Sequence, residues 1–136
     1  MKKILIAEDD FFIRDIYNKV FTGAGYQVFV AVDGQDAVQK IQGQMYDLII
    51  LDIMMPKMTG LDVLRQLRSM TPPAKDTSVF ILSNLGQQNV IEEAFQIGMD
   101  GYIIKSQMTP QQIVDEINTY FNNKATTTPP SIEPQT

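Results

Sequence analysis

The chain has neither cysteine nor histidine among its 136 residues. Without cysteine there are no disulfides and no thiolate chemistry, an absence compatible with a reducing compartment. Without histidine there is no histidine-based zinc site, no Ser-His triad and no phosphohistidine relay within the chain itself. Positive charge is also scarce: 11 Lys and Arg stand against 16 Asp and Glu, a net charge of −5. No basic run exceeds Lys2-Lys3. A nucleic-acid footprint, which needs a basic stripe, and an electrostatic membrane anchor are therefore not expected. The apolar stretch Ile4–Ala7 is too short for a signal-peptide core, and nothing elsewhere approaches a membrane span. The expected location is the cytoplasm. Chemistry here must rest on carboxylates, hydroxyls and amines.

What is present is a rhythm. Five short apolar runs recur: Ile4–Ala7, Gln27–Val32, Leu48–Leu51, Val79–Leu82 and Tyr102–Ile104. Several are apolar at nearly every position, as strands covered on both faces are. Between them lie stretches with helical spacing. Ile13, Ile16, Tyr17, Val20 and Phe21 form one stripe, and Leu61, Leu64 and Leu67 another. Val90, Ile91, Ala94 and Phe95 form a third, and Ile113, Val114, Ile117, Tyr120 and Phe121 the last. A shorter helix fits Gln35–Gln42, starting near Asp33 or Gly34. The order is (βα)5, which predicts an α/β fold: a doubly wound parallel sheet in three layers, with helices on both faces. Pro72-Pro73 halts the third helix within a loop over Ser69–Thr77, and Thr109-Pro110 reads as a cap and first position for the last helix. Residues 1–123 read as one domain. Residues 124–136 (KATTTPPSIEPQT), with three prolines and one large aliphatic residue, read as a disordered tail. No stretch reads as an effector domain.

In an open parallel sheet, ligands bind beyond the carboxyl ends of the strands. Glu8, Asp9 and Asp10 follow the first strand, Asp52 the third, Ser83 and Asn84 the fourth, and Lys105 the fifth. Each alone has a plainer reading. The acidic run suits a helix start, Asp52 a loop, Ser83 an N-cap and Lys105 a solvated surface. Their joint placement after four strands is what points to a site. Carboxylates converging without a counter-charge raise one another's pKa, and an all-oxygen set favours a hard cation, Mg²⁺ or Mn²⁺. An aspartate beside a metal, a lysine and a hydroxyl is a competent nucleophile toward phosphorus.

At this point the residues resemble the receiver domain of bacterial response regulators, most closely a stand-alone, CheY-like receiver. The likeness runs from Lys2 to about Asn122 and rests on KILIAEDD, LIILDIMMPKMTGLDVL, VFILSN and GMDGYIIKS. It implies a flavodoxin-like strand order, 2-1-3-4-5. It implies that Asp52 accepts a phosphoryl group and that Asp9 binds Mg²⁺ directly. Glu8 would act through water, and the backbone carbonyl of Met54 would complete the ligands. Lys105 would pair with the phosphoryl group, Ser83 would be the switch hydroxyl, and Tyr102 the switch aromatic. Asp10 reads better as a helix cap. Implied partners are a sensor histidine kinase or phosphotransfer protein and a downstream protein target bound in trans. The chain would be a monomer or a phosphorylation-dependent dimer, and a signalling switch rather than an enzyme, although it would assist its own phosphorylation and dephosphorylation. Phe12 fits either a docking anchor or a packing role.

Three departures from the family pattern carry consequences. Glu8 stands where Asp is commoner, which lengthens the ligand's arm. Ser106 follows Lys105 in place of proline, and a cis bond there would cost roughly 2.5–4 kcal/mol, so the peptide is expected to be trans or strained. Met54 offers no group to orient an attacking water, which implies slow self-dephosphorylation. Other readings fit less well. A flavodoxin-like cofactor binder needs a phosphate-cradling first loop, which three acids would repel. A haloacid-dehalogenase-type phosphatase carries its nucleophile after the first strand. A degenerate receiver acting as an unphosphorylated docking module would not need all its core positions filled.

Overall fold

The computed structural model describes residues 1–84 and 87–126. Its strands are β1 (Lys3–Ala7), β2 (Gln27–Ala31), β3 (Leu48–Asp52), β4 (Ser78–Ser83) and β5 (Gly101–Ile104). Its helices are α1 (Phe11–Gly23), α2 (Gly34–Gly43), α3 (Gly60–Arg68), α4 (Gln88–Ile97) and α5 (Pro110–Thr126). The strands pair in parallel in the order β2-β1-β3-β4-β5. This is the flavodoxin-like α/β arrangement.

Alternation along the central strands builds two cores. Leu5, Ala7, Ile49, Leu51, Val79 and Ile81 pack on one side with residues of α2, α3 and α4. Ile4, Ile6, Leu48, Ile50, Phe80 and Leu82 pack on the other with α1 and α5. Both faces of β1, β3 and β4 are thus apolar, which explains why their sequences do not alternate.

Local chemistry sets the helix starts. The Asp10 carboxylate accepts from the Ile13 N–H (3.0 Å), so Asp10 is the cap of α1. Asp33 caps α2 by accepting from the Asp36 N–H (2.7 Å). Thr59 and Asp62 form a reciprocal capping box on α3. Thr109 does the equivalent for α5, accepting from the Gln112 N–H while its own N–H reaches the Gln112 side chain.

Some expectations need adjusting. The loop after α3 contains a 3₁₀ turn, Ala74–Asp76. Phe95, read as part of an apolar stripe, is 70% exposed, and Ile16 in the first stripe is also exposed. α4 is covered along Ile91 and Ala94, so Phe95 lies off the covered strip. α5 continues through Lys124 to Thr126, past the expected boundary at 123. The rest of the tail, residues 127–136, lies outside the described residues. The Lys105–Ser106 peptide is trans, the one cis bond among the described residues being Pro72–Pro73. No helix among the described residues is long and apolar enough to cross a membrane.

Candidate acidic site

Parallel register explains why residues far apart in sequence meet. Asp52 is level with Leu82 on β4, one residue before Ser83, and Ser83 is level with Ile104 on β5, one residue before Lys105. On the other flank, Ala7 is level with Leu51, so Glu8 emerges beside Asp52. The strand ends therefore deliver three carboxylates and an ammonium group to one rim. One oxygen each from Glu8, Asp9 and Asp52 lies within 4.8 Å of the others.

Lys105 is the hinge of this arrangement. Its Nζ donates to Glu8 Oε1 (2.9 Å) and to Asp52 Oδ2 (2.8 Å). A short 3₁₀ turn, Lys105–Gln107, begins at this residue as β5 ends. Glu8 is fully buried and Asp52 nearly so, whereas Asp9 is exposed. The second Glu8 oxygen accepts from the Asp10 N–H (3.1 Å), and Asp52 Oδ1 accepts from the Met54 N–H (3.2 Å).

These contacts tilt the titrations. Burial pushes the Glu8 carboxyl above its ordinary range, and the neighbouring Asp52 charge pushes the same way. Burial alone would lower the Lys105 ammonium. Its hydrogen bonds to Asp52 and Glu8 outweigh that, and its pKa is raised. One lysine shared between two buried carboxylates leaves net negative charge in a dry place. A divalent cation would offset that charge when both carboxylates are ionised.

Ser83 behaves differently. It follows Val79 and Ile81, which face the α3 and α4 side, whereas Asp52 follows Leu48 and Ile50, which face α1 and α5. The Ser83 Oγ is buried with no hydrogen-bond partner among the described residues. A buried hydroxyl in that condition costs about 1–3 kcal/mol. Tyr102, on edge strand β5, is 47% exposed. Met54 is 58% exposed beside Asp52. Phe12 is 75% exposed, so it is no core residue, and its ring meets that of Phe11 edge-on at 5.5 Å.

The donors fit a hard divalent cation. They are all oxygen, they carry excess negative charge, and they leave one side open at Asp9. Two contributions were not legible in the sequence. Arg14 Nη1 donates to the backbone carbonyls of Glu8 (2.8 Å) and Asp9 (3.4 Å). Lys57, at φ 71°, pairs with Asp33 across the loop that follows Asp52 (3.4 Å). The only available signal for Arg14 was a basic residue one turn beyond an acidic run.

Comparison with known proteins agrees with this geometry. The response regulator receiver domain family matches residues 4–118. The chemotaxis protein CheY of Thermotoga maritima is 33% identical over 118 residues, covering 86% of this chain and 95% of that protein. Several other relatives are longer, and the chain spans less than half of their length. Among solved structures, the receiver domain of a Francisella response regulator superposes with a TM-score of 0.80 at 30% identity, covering 91% of this chain and 99% of that one. The Thermotoga maritima response regulator TrrA, solved in complex with Mg²⁺–BeF, gives 0.75 at 27%, covering 88% and 98%. With the family matched over residues 4–118 and an acidic rim at the sheet's carboxyl edge, this chain belongs to the response regulator receiver domains.

Proposed function

We propose that the chain is a phosphorylation switch in which Asp52 accepts a phosphoryl group from a partner's phosphohistidine. The observation that carries this is the placement of Asp52, buried between a lysine ammonium and two further carboxylates. In the transfer, an Asp52 oxygen forms a bond to phosphorus as the partner's nitrogen–phosphorus bond breaks. The electron pair of the broken bond returns to the imidazole. An ionised carboxylate needs no general base, so the protein's part is positioning and charge neutralisation. Mg²⁺ (Mn²⁺ being chemically similar), held by Glu8, Asp9, Asp52 and the Met54 carbonyl, would offset charge on the phosphoryl oxygens. Lys105 stays as the fixed positive partner of the acyl phosphate, and its raised pKa keeps it charged across the working range.

Ser83 then supplies the switch. Its unpartnered hydroxyl turns to donate to a phosphoryl oxygen, vacating space that Tyr102 can fill. The face made by α4, β5 and α5 repacks, so a local covalent change biases a two-state surface read by a downstream protein. A histidine kinase or phosphotransfer protein is the proposed donor, and the chain works as a monomer or as a dimer formed on phosphorylation. A degenerate, unphosphorylated docking role fits less well, because Glu8, Asp9, Asp52, Ser83 and Lys105 are all chemically competent.

Acetyl phosphate with Mg²⁺ should label the wild-type protein, and Asp52→Asn should take up none. Persistent label on that variant would move the acceptor elsewhere. Met54, exposed and apolar, gives an attacking water nothing to bind, so the acyl phosphate should be long-lived. Met54→Asn should shorten its half-life several-fold in a decay assay, and an unchanged half-life would refute that reading.

A further inference from the structure

Arg14 lies one turn into α1, half-buried and directed back at the acidic loop. One nitrogen, Nη1, donates to two consecutive carbonyls, those of Glu8 and Asp9. These carbonyls belong to the peptide planes on either side of the Asp9 Cα. Tethering both planes to one group sets the direction in which the Asp9 Cβ leaves the chain. Glu8 has further restraints, because its carboxylate is held by the Asp10 N–H and by Lys105. The exposed Asp9 carboxylate depends on its backbone for direction. The ring of Phe11 covers the guanidinium, with the carbon centre 5.6 Å from the ring centroid. That contact gives an otherwise exposed aromatic at a helix start a purpose: it holds Arg14 in place.

We infer that Arg14, backed by Phe11, is a positioning residue that aims the Asp9 carboxylate at the cation site. The inference rests on the proposed Mg²⁺-dependent function. It also makes an unusual prediction of sign. A positive charge near a cation site should weaken cation binding by repulsion, so deleting Arg14 on electrostatic grounds alone would tighten Mg²⁺. If Arg14 orders the ligand loop, deleting it loosens Mg²⁺ instead. Support of this indirect kind commonly changes metal affinity by roughly tenfold or more.

The test is Mg²⁺ titration of the unphosphorylated protein by calorimetry, with backbone ¹⁵N relaxation at Asp9 and Asp10 as a second readout. Arg14→Met keeps the aliphatic stem and removes both donor and charge. It should weaken Mg²⁺ by roughly tenfold or more and increase loop motion. Arg14→Lys, which retains a charged nitrogen donor, should recover much of the loss. Phe11→Leu should cost about twofold, the scale of an exposed cation–π contact. Lys19→Ala, a charge loss on the exposed side of the same helix, should leave affinity unchanged. Equal or tighter Mg²⁺ binding by Arg14→Met overturns the inference and leaves the proposed function intact. Failure of the wild-type protein to take up Mg²⁺ would sink both.

Discussion

At the scale of single residues, Glu8 shows how the site trades stability for function. Its pKa is raised by burial and by the Asp52 charge, so the folded protein holds a proton that the unfolded chain would release. Below the ordinary glutamate range both states are protonated and the group is neutral in its effect. As pH rises from the unfolded value through the folded one, the folded state must ionise a buried acid and loses stability. Glu8→Gln should therefore match the wild type in metal-free thermal unfolding at low pH and exceed it near neutrality, by roughly 2–4 °C per kcal/mol recovered. The same variant should bind Mg²⁺ more weakly. Equal melting temperatures across the whole pH range would show that Lys105 already cancels the cost. The identities of Glu8, Asp52 and Lys105 were readable because each directly follows a strand-like run, and Asp9 because it comes next after Glu8. That Lys105 bridges two of them, and that the Ser83 hydroxyl is left unpaired, depends on which way each side chain points at a strand's end. Neither is written in local sequence.

At the scale of elements, caps and close approaches position the loops around the site. Gly60 opens α3 where an added Cβ would lie 2.4 Å from the Asp52 carbonyl oxygen, so α3 can begin directly beneath Asp52 only with glycine there. Gly34 plays the same part for α2, where a Cβ would lie 2.1 Å from the Met58 carbonyl oxygen. Between these contacts, Lys57 adopts φ 71°, a left-handed conformation that strains an ordinary side chain. Its ion pair with Asp33 is largely solvent-exposed on the lysine side and offsets little. Lys57→Gly should stabilise the protein by roughly 0.5–1 kcal/mol, the left-handed strain less glycine's own entropic penalty. Denaturant unfolding checks this, and a loss of stability would mean the ion pair outweighs the strain. The helix stripes were legible because 3.6-residue spacing needs only local sequence. The exposure of Phe95 was not, since a stripe's outer edge is defined by what packs against it.

At the scale of the whole molecule, the sheet is a rigid centre with softer margins. β1, β3 and β4 are buried along nearly all their length, whereas β2 and β5 at the edges are partly exposed. Amide hydrogen exchange should be slowest in the three central strands and faster in β2 and β5. Protection in β5 equal to that of β3 would argue against a switch face that repacks at that edge. Asp52 ends a fully buried central strand while Tyr102 sits on an edge strand, so the proposed switch would set its acceptor on the buried centre of the sheet and its responding aromatic on the edge.

The sequence alone determined the (βα)5 order, the acidic and basic residues at the strand ends and, through its motifs, the family. All of these follow from local periodicity and from which residue comes next along the chain. The tertiary structure decided the rest: the register that sets Asp52 beside Glu8 and one position short of Ser83, the sharing of Lys105, and the reach of Arg14 to two carbonyls. Those depend on contacts between segments separated by up to a hundred residues, and on directions in space that a linear pattern does not encode.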